Sequence, residues 1–320
     1  MPFPTVTERY GSLSATGFAK ESVFGTPVAA TTFLPMLSNT MEVDPGWFSP
    51  QVMQATRDLQ IYNMYGEAHY TGSVDGPLFP SNAIPLFVAS IGTDVVTGVG
   101  PYTHTISQAN ALPSLTVEKN LGNFQSLQFA GCRVGKMSIK VPTANEPATM
   151  TADLTGRSAA ILSSPTAVSV SNEIPFVFAE ATLTMFGNAR AYCANVQIDI
   201  DNGLKETYTY SGSHGPSYIT PVTLHVSGTL DVVWSSLNDA TYGDYTSMVN
   251  GTLGSLVVTV VHATVGTVTI TLPQIVLNKY ANDVKISDVI MSTLTFEATK
   301  SFSSGYTIQA VVINNVSTAY

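Results

Sequence analysis

Apolar and polar side chains alternate along most of the chain after Leu112, which is the pattern of a strand with one buried face. Val196, Ile198 and Ile200 alternate with polar residues before a turn at Asp201-Asn202-Gly203. The same period occurs over 137–141, 224–228, 267–272 and 294–298, where Pro142 and Pro273 are expected to end two strands. The sequence therefore predicts an all-β protein of roughly ten or more antiparallel strands.

Helix is expected in only two short segments, so the fold class is all-β with minor α. Ser81-Asn82 is predicted to cap a helix that runs through Ile91 and ends at Gly92, with Pro85 in its first turn. A weaker candidate covers 238–249, with Asn238 or Asp239 as its cap and Gly243 as a weakening residue.

The chain carries few charges for its length. Charged residues make up 11% of it, against about 25% in an ordinary soluble domain. Two explanations compete, a secreted β-rich domain or a subunit whose surface is covered by neighbours, and we favour the second. The formal net charge is −9, and no run of Lys or Arg occurs. This argues against tight DNA binding but suits a channel wall along which DNA slides.

The two cysteines and the apolar segments suggest an intracellular place of synthesis. Cys132 and Cys193 lie far apart, outside any CxxC motif, and are expected to be buried and free. Residues 1–10 lack the apolar core of a secretory signal. The longest apolar stretch, 256–261, is far shorter than the roughly 20 residues that a membrane-spanning helix needs. No membrane partner is expected.

Residues 38–70 form the least regular segment, which we interpret as a long loop or arm. It combines Pro and Gly with aromatic and Met side chains, a composition typical of interface anchors. The alternative is two ordinary strands joined by a surface loop. The proposed anchors are Trp47, Phe48, Met53, Tyr62, Met64 and Tyr65.

The search for catalytic, metal and cofactor motifs finds none, so we expect no enzyme, no metal and no cofactor. Ser211-Gly-Ser-His-Gly is out of register with a nucleophile elbow and is interpreted as a turn. Asp199 and Asp201 share a strand face, where a solvated polar surface is a better interpretation than a cation site. Glu173 and Glu180 have no identifiable carboxylate partner. The histidines are scattered: His69, His104, His214, His225 and His262.

Several short segments occur in a characteristic order along the chain. The opening Glu21-Ser-Val-Phe-Gly-Thr-Pro precedes a first strand at 32–37. The later segments are Tyr102-Thr-His-Thr-Ile, Leu112-Pro-Ser-Leu-Thr-Val, Phe129-Ala-Gly-Cys-Arg-Val, Ala152-Asp-Leu-Thr-Gly and Gln309-Ala-Val-Val-Ile-Asn-Asn. In this order, the segments resemble the major tail tube proteins of long-tailed, siphovirus-like bacteriophages. Residues 211–266 depart most from the family pattern, which leaves open an outer insertion there.

The resemblance implies a single tail tube domain over 1–320, a β-sandwich with one short helix and a long loop. Subunits, usually six, would close into a ring with a continuous β-barrel around a lumen, and stacked rings would form the tube that conducts DNA. The 38–70 loop would stack rings, and 1–10 and the tail from Asn314 would add clamping contacts. Implied partners are other copies, a tape measure protein in the lumen, tail terminator and distal tail proteins at the ends, and passing double-stranded DNA. The protein would assemble in the host cytoplasm and reside in the virion.

Three other interpretations remain. The first is the inner tube of a contractile tail or injection apparatus, which shares the fold. The second is a carbohydrate-binding β-sandwich, for which Tyr208, Tyr210 and Tyr218 near His214 are the candidate residues. The third is an enzyme, which the failed motif search disfavours.

Overall fold

The computed structural model describes residues 10–81, 83–122, 124–142, 146–170, 173–235, 241–284, 286 and 289–320. Strand occupies 51% of it and helix 7%, which confirms the all-β prediction. The strands are β1 Ala15–Lys20, β2 Thr32–Leu34, β3 Ser38–Asn39, β4 Glu42–Asp44, β5 His69–Pro77, β6 Gly92–Thr97, β7 Tyr102–Gln108, β8 Leu115–Leu121, β9 Gln125–Val141, β10 Thr149–Gly156, β11 Ser158–Leu162, β12 Ala181–Met185, β13 Asn188–Ala189, β14 Cys193–Asp201, β15 Leu204–Thr207, β16 Tyr218–Pro221, β17 His225–Val233, β18 Gly254–His262, β19 Gly266–Asp283, β20 Met291–Ala298 and β21 Gln309–Asn314. The helices are α1 Ile84–Ile91 and α2 Asp244–Val249.

Antiparallel pairing arranges these strands in three connected sheets. Sheet I runs β2-β1-β8-β9-β11 and uses the first half of β9. Sheet II starts at β3 and β4 and runs β5-β10-β9-β14-β17-β20-β19, with the second halves of β9 and β19. Sheet III runs β13-β12-β18-β19-β21-β7-β6 and uses the first half of β19. Strands β15 and β16 pair with each other in a separate two-stranded sheet.

The long strands β9 and β19 each belong to two sheets. Strand β9 passes from sheet I to sheet II beside Gly131, whose φ of 68° favours glycine. The prediction that Pro273 ends a strand is wrong, because β19 continues to Asp283. Pairing with β21 stops at Thr271 and pairing with β20 begins at Ile275, so the missing N–H of Pro273 falls where this side of the strand changes partner. Strand β9 ends at Val141, before Pro142, as predicted.

Sheets II and III pack face to face over an apolar layer, the core of the sandwich. The predicted alternation of β14 is confirmed, with Val196, Ile198 and Ile200 buried and the residues between them partly exposed. Across the layer, the side chains that meet come from both sheets: Ile139, Val141, Val196 and Ile198 from sheet II, and Val258, Val260, Val268 and Ile270 from sheet III. The core therefore uses the inward half of each alternating pattern.

Both helices are shorter at their N-termini than the sequence suggested. All eight residues of α1 are buried, and Gly92 follows its last turn as predicted. Its N-cap is Ala83 without a side-chain cap, so Ser81 does not cap it, and Asn82 lies outside the described residues. Helix α2 begins at Asp244 after Gly243, whose φ is 60°. The other predicted caps, Asn238 and Asp239, also lie outside the described residues.

A buried ion pair fixes α2 against the rest of the fold. The Arg190 guanidinium donates to both carboxylate oxygens of Asp244, at 2.7 and 3.0 Å, with both side chains almost fully buried. It also lies 3.8 Å from the ring centroid of Tyr242. Paired hydrogen bonds of this kind give the contact a defined geometry.

The segment 211–266 contributes β17 and β18 to the two main sheets. Whether 211–266 is an insertion relative to the family pattern stays a prediction.

Both cysteines are free, as expected; Cys132 is buried and Cys193 is partly buried.

The opening motif that begins at Glu21 has a clear structural role. Its buried carboxylate accepts hydrogen bonds from the Gly25 amide at 2.8 Å, the Ser114 hydroxyl at 2.7 Å, the Thr116 hydroxyl at 2.9 Å and the Gly131 amide at 2.7 Å. One side chain thus joins the loop after β1 to β8 and to the bend of β9.

We expect Glu21→Gln to destabilise the protein by about 2–3 kcal/mol, because the amide nitrogen would face donors that the carboxylate oxygen now accepts. Urea unfolding measures the change. The control is Glu297→Gln, at a side chain that is 50% exposed, where we expect little change. Equal stability of the two variants would contradict this role for Glu21.

Candidate assembly surface

The predicted 38–70 loop is partly ordered by strands, which corrects the view of it as structureless. Strands β3, β4 and the start of β5 lie within it, so the loop proper is residues 45–68, called here the 45–68 loop. Two reciprocal backbone hydrogen bonds close its neck, Phe48 N to Met64 O at 3.0 Å and Met64 N to Phe48 O at 2.9 Å. A Cβ at Gly46 would overlap the Glu67 carbonyl, so the neck requires glycine there.

Aromatic rings support the neck from one side. The rings of Trp47 and Tyr65 have centroids 5.2 Å apart, and those of Tyr65 and His214 are 4.0 Å apart. The His214 ring Nδ1 lies 3.0 Å from the Gly66 carbonyl oxygen, and the Ala68 amide donates to the His214 carbonyl at 2.8 Å. The turn predicted at 211–215 therefore holds the base of the loop.

A second polar network braces the same base. The Tyr208 hydroxyl donates to the Glu206 carboxylate at 2.6 Å and lies 2.9 Å from His69 Nδ1. Burial, followed by the hydrogen bond to Glu206, raises the pKa of Tyr208, so the hydroxyl stays protonated and donates. The sequence analysis missed Glu206 and His69 as supports of the loop. His69 directly follows the loop, but its partner Glu206 lies 137 residues further along the chain, so the pairing left no local signal.

The predicted anchors lie close together in the loop and expose large apolar surface. Exposure is 104% for Met53, 58% for Trp47 and 36% for Tyr65, and 50% for each of Phe48, Tyr62 and Met64. The neck holds the aromatic members in place. An exposed apolar loop whose neck is held by hydrogen bonds is the pattern of a surface that binds another protein.

The other candidate residues have structural partners. Tyr208 is engaged in the network at the loop base, whereas Tyr210 and Tyr218 are exposed, so the three tyrosines do not form one open platform. His104 lies between the Asp94 carboxylate at 2.8 Å and the Val316 carbonyl at 2.9 Å. This confirms the expectation of a hydrogen-bonded strand residue.

The candidate carboxylates are held by nearby groups. Glu180 lies 3.5 Å from the His262 ring nitrogen, and Glu173 accepts from the Ser81 amide at 3.1 Å. Gln197 donates to Asp199, and Lys136 lies 3.4 Å from Asp201. Among the described residues, no group of three or more His, Cys, Asp or Glu side chains is placed to hold a metal ion.

The outer face of sheet II is polar and carries excess negative charge. Cross-strand register aligns its side chains in rows, for example Asp75, Thr151, Ser138, Asp199, Ser227 and Glu297. Over this row and the adjacent ones, the charged side chains are Asp75, Asp153, Asp199, Asp201, Asp231 and Glu297 against Lys136, Lys140 and Lys279. The outer face of sheet III differs, since its rows are built mainly from Thr and Val, such as Thr105, Val311 and Thr269.

None of the described helices is long and apolar enough to cross a membrane. The open sheets, the exposed apolar loop and the polar sheet face are typical of a structural subunit that associates with other chains. A family model described as phage tail tube protein matches residues 11–298, which is most of the 320-residue chain. The chain belongs to the phage tail tube protein family. Proteins of this family are structural components of the virion tail that associate into a tube. A search of curated proteins found no match.

We expect His214→Ala to loosen the neck, because Tyr65 loses its ring neighbour and the Gly66 carbonyl loses its donor, a change of about 1 kcal/mol. In a Trp234→Phe background, Trp47 is the only tryptophan of the chain. Its emission should shift to longer wavelength, and acrylamide should quench it faster. The control His225→Ala, at a side chain that is 57% exposed, should leave both unchanged, and identical spectra in the two variants would refute the bracing role.

Proposed function

We propose that this protein forms stacked rings, six subunits to a ring, that make the tail tube through which phage DNA passes into the host cell. Family membership carries the proposal, because tail tube proteins self-associate into a tube. The geometry of the monomer supports it. Within the described residues, β6 and β11 each pair on one side only, whereas β2 pairs with β1 and has one isolated bridge from Phe33 to Val170. Edges such as β6 and β11 invite pairing with another chain. A closing rotation between copies would cover them.

The 45–68 loop is our candidate for the contact between successive rings, with Trp47, Phe48, Met53, Tyr62, Met64 and Tyr65 as its anchors. It extends from one end of sheet II beyond a neck that two backbone hydrogen bonds close. An apolar surface of this kind gains stability when a partner buries it, at about 25 cal/mol per Å².

Replacing Trp47 and Phe48 with Ser is expected to give folded, soluble subunits that do not polymerise, because the exposed rings would no longer bury apolar surface between rings. Negative-stain electron microscopy measures tube formation, and circular dichroism checks folding. The matched control is Trp47→Phe with Phe48→Leu, which keeps the surface apolar and should retain tubes. Tubes of normal abundance in the Ser variant would refute the assignment of the loop.

The polar face of sheet II is our candidate for the lumen wall. Its carboxylates outnumber its lysines, and several are held by neighbouring hydroxyls, such as Asp75 by Thr151 at 2.7 Å and Asp231 by Thr293 at 2.7 Å. A wall of the same sign as DNA does not hold phosphates, so DNA slides past it. The outer face of sheet III is built mainly from Thr and Val, so it would repel DNA less strongly.

Tubes of an Asp153→Lys, Asp199→Lys variant should retain double-stranded DNA at low salt and release it as salt rises, since lysines on the wall would bind phosphates. Fluorescent DNA carried down with pelleted tubes measures retention. The control Thr105→Lys, Thr269→Lys places the same charges on sheet III and should retain less DNA in the lumen. Retention by the control alone would show that the lumen is lined by the other sheet.

We also propose partners and a setting for the tube. A tape measure protein would occupy the lumen during assembly, and tail terminator and distal tail proteins would cap the tube, all in the host cytoplasm. A long non-contractile tail is the simplest setting. The inner tube of a contractile tail or injection apparatus uses the same subunit design, and a sheath gene beside this one would favour it.

A further inference from the structure

Stacking by a loop requires a second, different surface that receives it. Identical rings that add in one direction make head-to-tail contacts, in which one end of each subunit binds the other end of the next. If the 45–68 loop is one half of this contact, as proposed above, its receptor lies at the opposite end of the subunit. The register of sheet II identifies that end.

The 45–68 loop leaves the sheet where β5 begins. At that end, Thr71 pairs with Thr155 of β10, which pairs with Arg133 at the start of the sheet II half of β9. Asp201, the last residue of β14, pairs with Lys136 close to the same end. The far end of the same strands holds Pro77, Val141 and Cys193. A nine-residue strand such as β5 spans about 30 Å, so these two ends are well separated.

An apolar cavity of about 240 Å³ opens at the far end, between sheets II and III. It receives side chains from β9, β12, β14, β18 and the short turn before β12, and its lining is mainly apolar: Val141, Pro142, Phe178, Leu183, Cys193 and Val258. Phe178 is 43% exposed at this site. A cavity of this size suits one or two apolar side chains rather than a large ligand.

Two exposed aromatic residues neighbour the cavity lining in the chain or across a backbone hydrogen bond. Tyr192 lies between the lining residues Ala191 and Cys193 and is 52% exposed. The Val233 amide donates to the Tyr192 carbonyl at 2.9 Å, which places the 40% exposed Trp234 next to it. The cavity together with the neighbouring Tyr192 and Trp234 is called here the far-end pocket.

The chemistry of the loop tip matches this pocket. Beyond the neck, the tip presents Val52, Met53 and Leu59, which are 47%, 104% and 65% exposed. Met has three rotatable bonds and fills irregular apolar cavities well. The neck carries the exposed rings of Trp47 and Phe48 behind the tip.

We propose that the far-end pocket of each subunit receives the tip of the 45–68 loop from a second copy of this chain in the next ring, with Met53 in the cavity. This inference rests on the proposed function, because it names the receptor for the stacking loop. Trp47 and Phe48 then lie against Tyr192 and Trp234. The contact is heterologous and repeats along the tube axis, so it extends the tube without limit.

Cys193 is a natural reporter of occupancy, because it lines the cavity whereas Cys132 is fully buried elsewhere. Burial raises the pKa of Cys193 to about 11, so labelling by N-ethylmaleimide is slow and is compared at one pH. Mass spectrometry should find Cys193 labelled at least tenfold more slowly in tubes than in dispersed Trp47→Ser, Phe48→Ser subunits. Equal rates in tubes and subunits would overturn the proposal.

A photo-crosslinking amino acid at position 53 identifies the occupant. In tubes it should join the 45–68 loop to a peptide of another copy that contains 178–196 or Pro142. Crosslinks to any other surface of the neighbouring copy would overturn the docking site and leave tube formation intact. Failure of the unmodified protein to form tubes would instead refute the proposed function, and the docking inference with it.

A substitution at the mouth of the cavity supplies the complementary test. Ala191 lines the cavity and is exposed, so Ala191→Trp should block entry without disturbing the core, and it should reduce tube formation at least tenfold. The matched control Ala191→Ser should polymerise normally. Normal tubes from a folded Ala191→Trp variant would contradict the docking site.

Discussion

Two long strands that each pair in two sheets connect the whole protein. Strand β9 links sheet I to sheet II, and β19 links sheet II to sheet III. Because a strand cannot shift its register by one residue without exposing its buried side chains, these shared strands fix the sheets relative to one another. The Glu21 carboxylate reinforces the first bend through the Gly131 amide. The rigid result gives the subunit two defined ends.

The positions of the surface features follow from this framework. The 45–68 loop leaves one end of sheet II, braced by Tyr65, His214 and the Tyr208–Glu206 pair. The apolar far-end pocket lies at the other end. The polar rows of sheet II run across the strands between them. A subunit with a loop at one end, a pocket at the other and a charged face between has the polarity that a stacked tube requires.

Local patterns in the sequence predicted much of this architecture. The alternation in β14 and β20, the Gly92 end of α1 and the stop at Pro142 all depend on neighbouring residues, and the structure confirms them. Pro273 does not end β19 as predicted, because its effect depends on where β19 changes partner. The apolar content of the loop was visible in the sequence. Its support by Glu206 and His214 and the far-end pocket were not, because they depend on contacts between residues distant in the chain.

The low charge content has a physical explanation in this arrangement. A monomer that exposes Trp47, Met53, Tyr192 and Trp234 at two opposite ends would be prone to association in solution. In the tube that we propose, the same side chains would become interior contacts, and the acidic groups would remain on the face that meets DNA. Self-assembly would therefore explain the low charge content, the exposed 45–68 loop and the far-end pocket together.

A cryo-electron microscopy reconstruction of the concentrated, purified protein tests self-assembly most directly. We predict tubes of uniform width in which the Asp199 row faces the lumen and each 45–68 loop crosses into the next ring. A monodisperse single particle at high concentration, with β6 and β11 still unpaired on their outer sides, would contradict the account.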